Sequence, residues 1–364
     1  MFLTLSNVLV SFAALTSSNA SRDVGATSTT SLSSAVDNGL PFSHRSNATH
    51  FVWTSEIPRR HMTKSLSGGL SEQVIYVHHQ TARDAERDCL EYLEENLMAF
   101  DLPFKETLGL PSPKSDSADG LDQGLVGPTV KLALEAKRQY PWTDSLPKDI
   151  FQNYVLNFAN LNEARTNWRP LLVETLNFTN SELYRSGNAN ISSVVEWANT
   201  VAWKMLARNP EKPIYFKSSQ TPLIFDPMSI IAYGYASCTG VSILFVNILR
   251  SLGIPSRVVG TPAWYGNATR GNHNWVEVYV NGEWVFLEAA PATPGHVDTL
   301  EKNPCSSWFC RSDRYPASQV FAAKYTKGCS QVKFPLAWEL DCLDVPAENR
   351  TEFYTNICRD CGAD

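Results

Sequence analysis

Three side chains in this 364-residue chain have the types and spacing for nucleophilic chemistry: Cys238, His273 and Glu288. Cys238 stands where the loop Tyr235-Ala236-Ser237 turns into the apolar-periodic run that starts at Thr239 and stops at Gly253-Ile254-Pro255. A free thiol is only slightly ionised at neutral pH, but a helix N-terminus and an imidazole partner lower its pKa and make thiolate available. The helix start offers the first, and His273 offers the second. A carboxylate on the far side of the ring fixes the tautomer and stabilises the imidazolium, and Glu288 is the candidate. The backbone N–H of Cys238 is then a natural oxyanion donor for an acyl-enzyme pathway; Trp203 and Gln220 are read first as structural residues and second as candidates for another donor.

The elements that must position these groups follow from periodicity. Val241, Leu244, Phe245, Ile248, Leu249 and Leu252 recur at helical spacing, which predicts an amphipathic helix beginning at Cys238. Asp226-Pro227 predicts a capped short helix ending at Gly234 just before it. After Pro255 the period changes to two. Strands are expected over 256–264, 273–280 and 283–290, with Asn281-Gly282 as a two-residue hairpin turn between the last two. That turn pairs Val280 with Glu283, sets Trp275 opposite Glu288 and His273 opposite Ala290, and so puts His273 and Glu288 on one face in diagonal register. Val276, Val278, Val280, Val285 and Leu287 form the other, apolar face. The Cys238 helix is expected to meet the His and Glu side, with Trp275, Tyr279 and Trp284 packing there.

Three earlier helices are expected: one capped by Thr81 and running through Ala82, Ala85, Cys89, Leu93 and Leu97, one over 146–162, and one over 192–208. Cys89 falls on the apolar stripe of the first. The remaining cysteines, Cys305, Cys310, Cys329, Cys342, Cys358 and Cys361, form an even set in the C-terminal tail that can make three disulfides in any of 15 connectivities. Cys358-x-x-Cys361 is read as part of that framework rather than as a metal site.

At these residues the chain resembles the transglutaminase-like superfamily. The matching pieces are the Cys at a helix start, Leu249-Arg250-Ser251-Leu252-Gly253-Ile254-Pro255-Ser256-Arg257-Val258-Val259, Asn272-His273-Asn274-Trp275-Val276-Glu277-Val278, and Glu283-Trp284-Val285-Phe286-Leu287-Glu288. Pro141-Trp142, Leu146 to Phe151 and Trp168-Arg169-Pro170 are similar to the leader region of secreted, mainly bacterial members. The resemblance implies an α+β, papain-like core in which the nucleophile helix packs on an antiparallel sheet. It also implies a Cys-His-acid triad acting on amides; no cofactor and no metal are expected. Two features depart from the family pattern. Glu288 is one methylene longer than the usual Asp, and Thr239 stands where the calcium-dependent animal enzymes carry Trp; their β-sandwich domains and acidic calcium loop are not evident either.

Composition narrows the setting. A net charge of -6 gives no basic surplus for nucleic acid or an anionic membrane, so a protein or peptide substrate is the expected partner. An apolar run over Val8 to Leu15 followed by Ser18-Asn19-Ala20 reads as a secretory signal. N-x-S/T sequons at Asn47, Asn177, Asn190, Asn267 and Asn349, with the tail cysteines, favour a secreted or extracellular glycoprotein, or one held in the secretory lumen or a vacuole. The expected organisation is a signal over 1–20, a Ser/Thr-rich leader or propeptide over 21–70, a helical region over 71–210, the transglutaminase-like core over 211–300 and a Cys-rich extension over 301–364. Three functions stay open: acyl transfer or deamidation, hydrolysis as a cysteine peptidase or amidase, and a non-catalytic interaction protein.

Overall fold

The helix that begins at Cys238 runs to Ser251 and is buried on every side from Thr239 onward. The sequence stripe predicts a one-sided amphipathic helix; the structure buries the polar side too, because that side finds partners. The Arg250 guanidinium donates to the carbonyls of Ala159 (2.9 Å) and Ser256 (3.0 Å), and Asn247 accepts from Asn160 (2.9 Å). A buried charge is tolerable only when its donors are satisfied in this way.

This computed structural model describes residues 70–98, 101–110, 124–218, 225–293, 296–297, 300–325, 334 and 345–361. The expected signal, the leader up to Gly69, Asn47, Gln220, Cys329 and Cys342 lie outside those residues. The described residues contain strands β1 (Tyr215–Phe216), β2 (Tyr235–Ala236), β3 (Ser256–Thr261), β4 (His273–Val280), β5 (Glu283–Leu287), β6 (Ala292–Thr293), β7 (His296–Val297), β8 (Phe321–Ala323) and β9 (Ala347–Asn349). Five of them form an antiparallel sheet in the order β5-β4-β3-β8-β9, and the others a small sheet in the order β2-β1-β6-β7, in which β1 runs parallel to β2 and β6. The fold is therefore α+β, with an antiparallel main sheet, as expected.

The β4–β5 hairpin has the expected register, Val280 on Glu283, Val278 on Val285 and Val276 on Leu287. Asn281 (φ 53°) and Gly282 (φ 94°) both adopt positive φ, the geometry of a two-residue hairpin turn. Which face the Cys238 helix covers differs from expectation. Val276, Val278 and Leu287 pack with Val258 against Val241, Leu244, Phe245 and Ile248 of the helix. Trp275 and Phe286, on the other face, pack with Phe309 and Tyr354 from the C-terminal segment. The helix takes the valine face and the C-terminal segment the equally apolar Trp275 face, and the Cys238 thiol meets His273 at the start of β4 rather than across the sheet.

The earlier helices deviate where local polar bonding or tertiary packing overrides the pattern. The first helix spans Leu70–Glu95, so Thr81 lies within it and is not its cap. The 146–162 segment is helical only over Lys148–Phe151 and a π turn at Gln152–Leu156. Beyond it, Asn157 Oδ1 accepts from the Ala159 N–H, and the Glu163 carboxylate accepts the N–H groups of Asn160 and Leu161, offering the backbone partners that a helix cannot match. The third helix, Ile191–Met205, starts with a capping box of Asn190 and Ser193. Helices over Val126–Gln139, Trp168–Leu176 and Thr351–Asp360 complete the frame. The largest core draws Ala136, Leu172 and Val194 together with Leu244, Val276 and Ala347, so residues from before, within and after 211–300 share one interior.

Candidate active site

Four short devices set the thiol. Asp226 Oδ1 accepts the Ser229 N–H (3.0 Å) and caps the helix Pro227–Tyr233; such a cap contributes about 1 kcal/mol. Gly234 ends that helix at φ 77°, a conformation only glycine adopts without strain. β2 then pairs with β1, and Ser237 in extended conformation delivers Cys238 as the first helical residue. The first-turn N–H groups of a helix have no intrahelical partner and carry the positive end of its dipole, so the thiol sits where an anion is favoured.

His273 and Glu288 converge as the diagonal register requires. The Nε2 of His273 lies 2.6 Å from Glu288 Oε1. The ring is also hydrogen bonded to the Cys238 thiol, and with Nε2 committed to Glu288 the nitrogen left for sulfur is Nδ1. Burial acts to lower the His273 pKa, but the bonds and charges of Cys238 and Glu288 outweigh it and push the imidazole up to about 9. Burial likewise acts to raise the Cys238 thiol. The hydrogen bond and charge of His273, the Asn274 N–H and the Thr239 hydroxyl overcome that and hold it below the ordinary thiol value. The two shifts belong to one coupled pair, in which each partner favours the charged form of the other. By contrast, burial pushes the Cys89 thiol up to about 11, and it sits inert in the helical core.

Residues outside the expected set complete the surroundings of His273. Phe309 and Trp308 lie 5.1 and 5.4 Å from its ring, and Ser307 Oγ donates to Glu288 Oε2 at 3.3 Å. Glu288 itself is held beyond the end of β5 by a bridge to Glu301, whose carbonyl accepts the Glu288 N–H at 2.9 Å. The segment Cys305 to Cys310 that carries Ser307, Trp308 and Phe309 is fixed to the C-terminal helix at both ends, through disulfides Cys305–Cys361 and Cys310–Cys358. Each sulfur of Cys358-x-x-Cys361 is thereby used. The sequence signal for this wall was the close spacing of Cys305 and Cys310 around two aromatic residues, but nothing in it says which element the loop covers.

Trp203 does not face the thiol as an oxyanion donor. Its indole N–H donates to Asn199 Oδ1 (3.2 Å) and its ring stacks on Phe245 in the core. Trp275 is fully buried and donates to Tyr354 Oη (2.7 Å), while Trp284 and Tyr279 pack on one another toward the hairpin end. Among the described residues, no group of three or more His, Cys, Asp or Glu is arranged to hold a metal ion.

Residues 182–289 match the family model Transglut_core, the transglutaminase-like superfamily. This chain carries a transglutaminase-like domain. The matched span runs to one residue past Glu288 and so contains Cys238, His273 and Glu288, while Ser307, Trp308 and Phe309 lie beyond it. Solved structures are similar to the chain as well, among them one from Cytophaga hutchinsonii described as a "Putative Cysteine Protease". It shares 14% identity over 48% of this chain and 55% of that one, with a TM-score of 0.27, so the chain spans about half of that protein's length. No curated protein matches the chain. The transglutaminase-like domain and its disulfide-stapled C-terminal segment thus meet at one imidazole ring.

Proposed function

We propose that the protein is a secreted, glycosylated cysteine enzyme that attacks carboxamides of protein or peptide substrates through Cys238. The thiolate adds to the amide carbonyl carbon, the oxyanion is met by the Cys238 N–H, and the C–N bond breaks as His273 gives its proton to the departing ammonia or amine. The thioester that remains is attacked by an amine or water, which passes a proton to His273 as the C–S bond breaks and thiolate returns. Glu288 holds the ring and stabilises its charged form throughout.

The observation that carries this reading is the 2.6 Å contact of His273 Nε2 with Glu288 Oε1 on a ring whose other side is hydrogen bonded to an unpaired cysteine at a helix start. The two disulfides and the exposed sequons at Asn177, Asn190, Asn267 and Asn349 support the oxidising, glycosylating route. No helix among the described residues is long and apolar enough to cross a membrane.

The test is incubation with a glutamine peptide and a labelled amine. Amine incorporation that disappears in Cys238→Ala is the expected result. Peptide cleavage without incorporation identifies a peptidase with the same triad instead. Neither, joined to a Cys238 no more reactive than a free thiol, sinks the enzymatic reading in favour of an interaction protein.

A further inference from the structure

Arg314 makes no salt bridge among the described residues and lies beside the His273 wall. Its guanidinium lies over Trp308 (4.9 Å to the ring centroid) and Trp264 (5.0 Å), and those two indoles meet edge to face at 5.5 Å. Trp308 in turn is the ring 5.4 Å from His273, and it is 56% exposed. The Nε of Arg314 is buried and has no hydrogen-bond partner among the described residues. Two carboxylates of the same region are engaged with other groups. Asp313 accepts from Tyr265 Oη (3.1 Å), and both oxygens of Glu288 are taken by His273 and Ser307. Arg270, over the Tyr265 ring at 5.5 Å, adds a second positive charge nearby.

The arrangement is held rigidly. The Arg314 N–H donates to Arg311 O (3.1 Å), its carbonyl accepts from Ser318 N (2.9 Å), and Ser318 Oγ accepts from Tyr265 N (2.7 Å), so the turn carrying Arg314 is locked to the loop that precedes β4. A guanidinium stacked on aromatic faces keeps its planar fork of donors free for an anion, and little conformational freedom is left to lose on binding. The neighbouring Trp308 makes the same place hostile to a second cation only through Arg314; alone, an exposed indole would attract one.

His273 passes its proton to the leaving group and takes it from the incoming one, so what flanks His273 touches the leaving-group side of the substrate. We propose that Arg314, on its Trp264–Trp308 platform, is a carboxylate-binding subsite on that side, and that the preferred substrates carry a carboxylate about one or two residues beyond the reacting amide. This rests on Cys238 being the nucleophile. The carboxylate has two sources, the α-carboxylate of a chain end and an Asp or Glu side chain, and bidentate recognition by Arg314 suits both.

The test separates the subsite from the reaction. In the full chain, Cys238 is alkylated with iodoacetate and, separately, with neutral iodoacetamide. The ratio of the two rates is expected to fall about fivefold or more in Arg314→Gln, to fall with added salt in the wild type, and to recover in part in Arg314→Lys, while the iodoacetamide rate stays unchanged. A ratio indifferent to Arg314→Gln overturns the proposal. A Cys238 that alkylates no faster than a free thiol overturns the enzymatic reading and still leaves the ratio to be read. With peptides, a preference of about tenfold or more in kcat/KM is expected for a carboxylate over its amide at the same position, lost in Arg314→Gln. A free chain end against its amidated form, and an internal Glu against Gln, distinguish the two sources. Equal rates in both pairs refute the subsite.

Discussion

The Thr239 hydroxyl donates to Asn274 Oδ1 at 2.7 Å, so the residue after the thiol is tied directly to the residue after the imidazole. The Asn274 side chain also reaches toward Val259 O (3.4 Å), lying over Gly260 on the neighbouring strand. A Cβ on Gly260 would stand 2.6 Å from the His273 carbonyl and collide with the Asn274 amide. Gly260→Ala is therefore expected to destabilise the fold by about 1–3 kcal/mol and to slow Cys238 alkylation as the elements that carry Cys238 and His273 part. Denaturant midpoints and iodoacetamide rates check it; an unchanged rate in a destabilised variant would show that this tie does not set the thiol.

The paired shifts of Cys238 and His273 give a signed pH dependence. Because the thiol is held below its ordinary value, Cys238 alkylation should reach its plateau at a lower pH than free cysteine does. Loss of the imidazolium proton around pH 9 then removes the general acid, so turnover falls there while alkylation does not. In His273→Ala the largest lowering influences are gone and only the Asn274 N–H and the Thr239 hydroxyl oppose burial, so the alkylation midpoint should move up. A midpoint that stays low in the variant would credit those two groups and the helix N-terminus instead of the imidazole.

Glu288 raises the His273 pKa by charge as well as by hydrogen bonding. Glu288→Gln keeps the size and removes the charge, so kcat should drop by about 10²-fold or more and the alkaline limb of the pH profile should shift to lower pH. Glu288→Asp tests the reach. Diagonal neighbours on a sheet stand about 7–8 Å apart, a gap the longer side chain spans. The aspartate variant is expected to lose activity despite its charge, measured as kcat with KM unchanged; full activity in it would make the extra methylene irrelevant.

The Cys-His-Glu convergence was legible because a hairpin turn is a local device with a global consequence. Asn281-Gly282 demands positive φ, the turn fixes register, and register alone puts His273 and Glu288 on one face. What covers each face was not legible. The valine face and the Trp275 face are both apolar, and nothing local says that the Cys238 helix takes the first and the C-terminal segment the second. The helix Val126–Gln139 did carry a readable stripe in Val126, Val130, Ala133 and Leu134, which the preceding Gly- and Ser-rich loop masked. Arg250 and Glu163 defeat pattern reading for another reason. Charged residues are expected at the surface, and here their bonds to backbone carbonyls and N–H groups build the interior.

The stapled segment gives the last prediction, in which a reductant acts in two opposed ways. A thiol nucleophile needs reducing conditions to stay free, yet Cys305–Cys361 and Cys310–Cys358 hold the loop that bonds Glu288 through Ser307 and covers His273 with Phe309. These bridges close chain lengths of 56 and 48 residues, and each is expected to contribute about 2–4 kcal/mol, chiefly by restricting the unfolded chain. Mild reductant should leave activity intact or raise it. Reductant strong enough to free these four cysteines should lower the unfolding midpoint, release Phe309 from its stack on Trp275 (4.8 Å) and depress turnover even with Cys238 fully reduced. Mass-spectrometric counting of labelled thiols against activity resolves the two phases. The double variant Cys310→Ser with Cys358→Ser should reproduce the second phase without any reductant. Undiminished kcat with all four cysteines labelled would mean that the transglutaminase-like domain holds Glu288 on its own, and that the C-terminal wall serves the substrate rather than the imidazole.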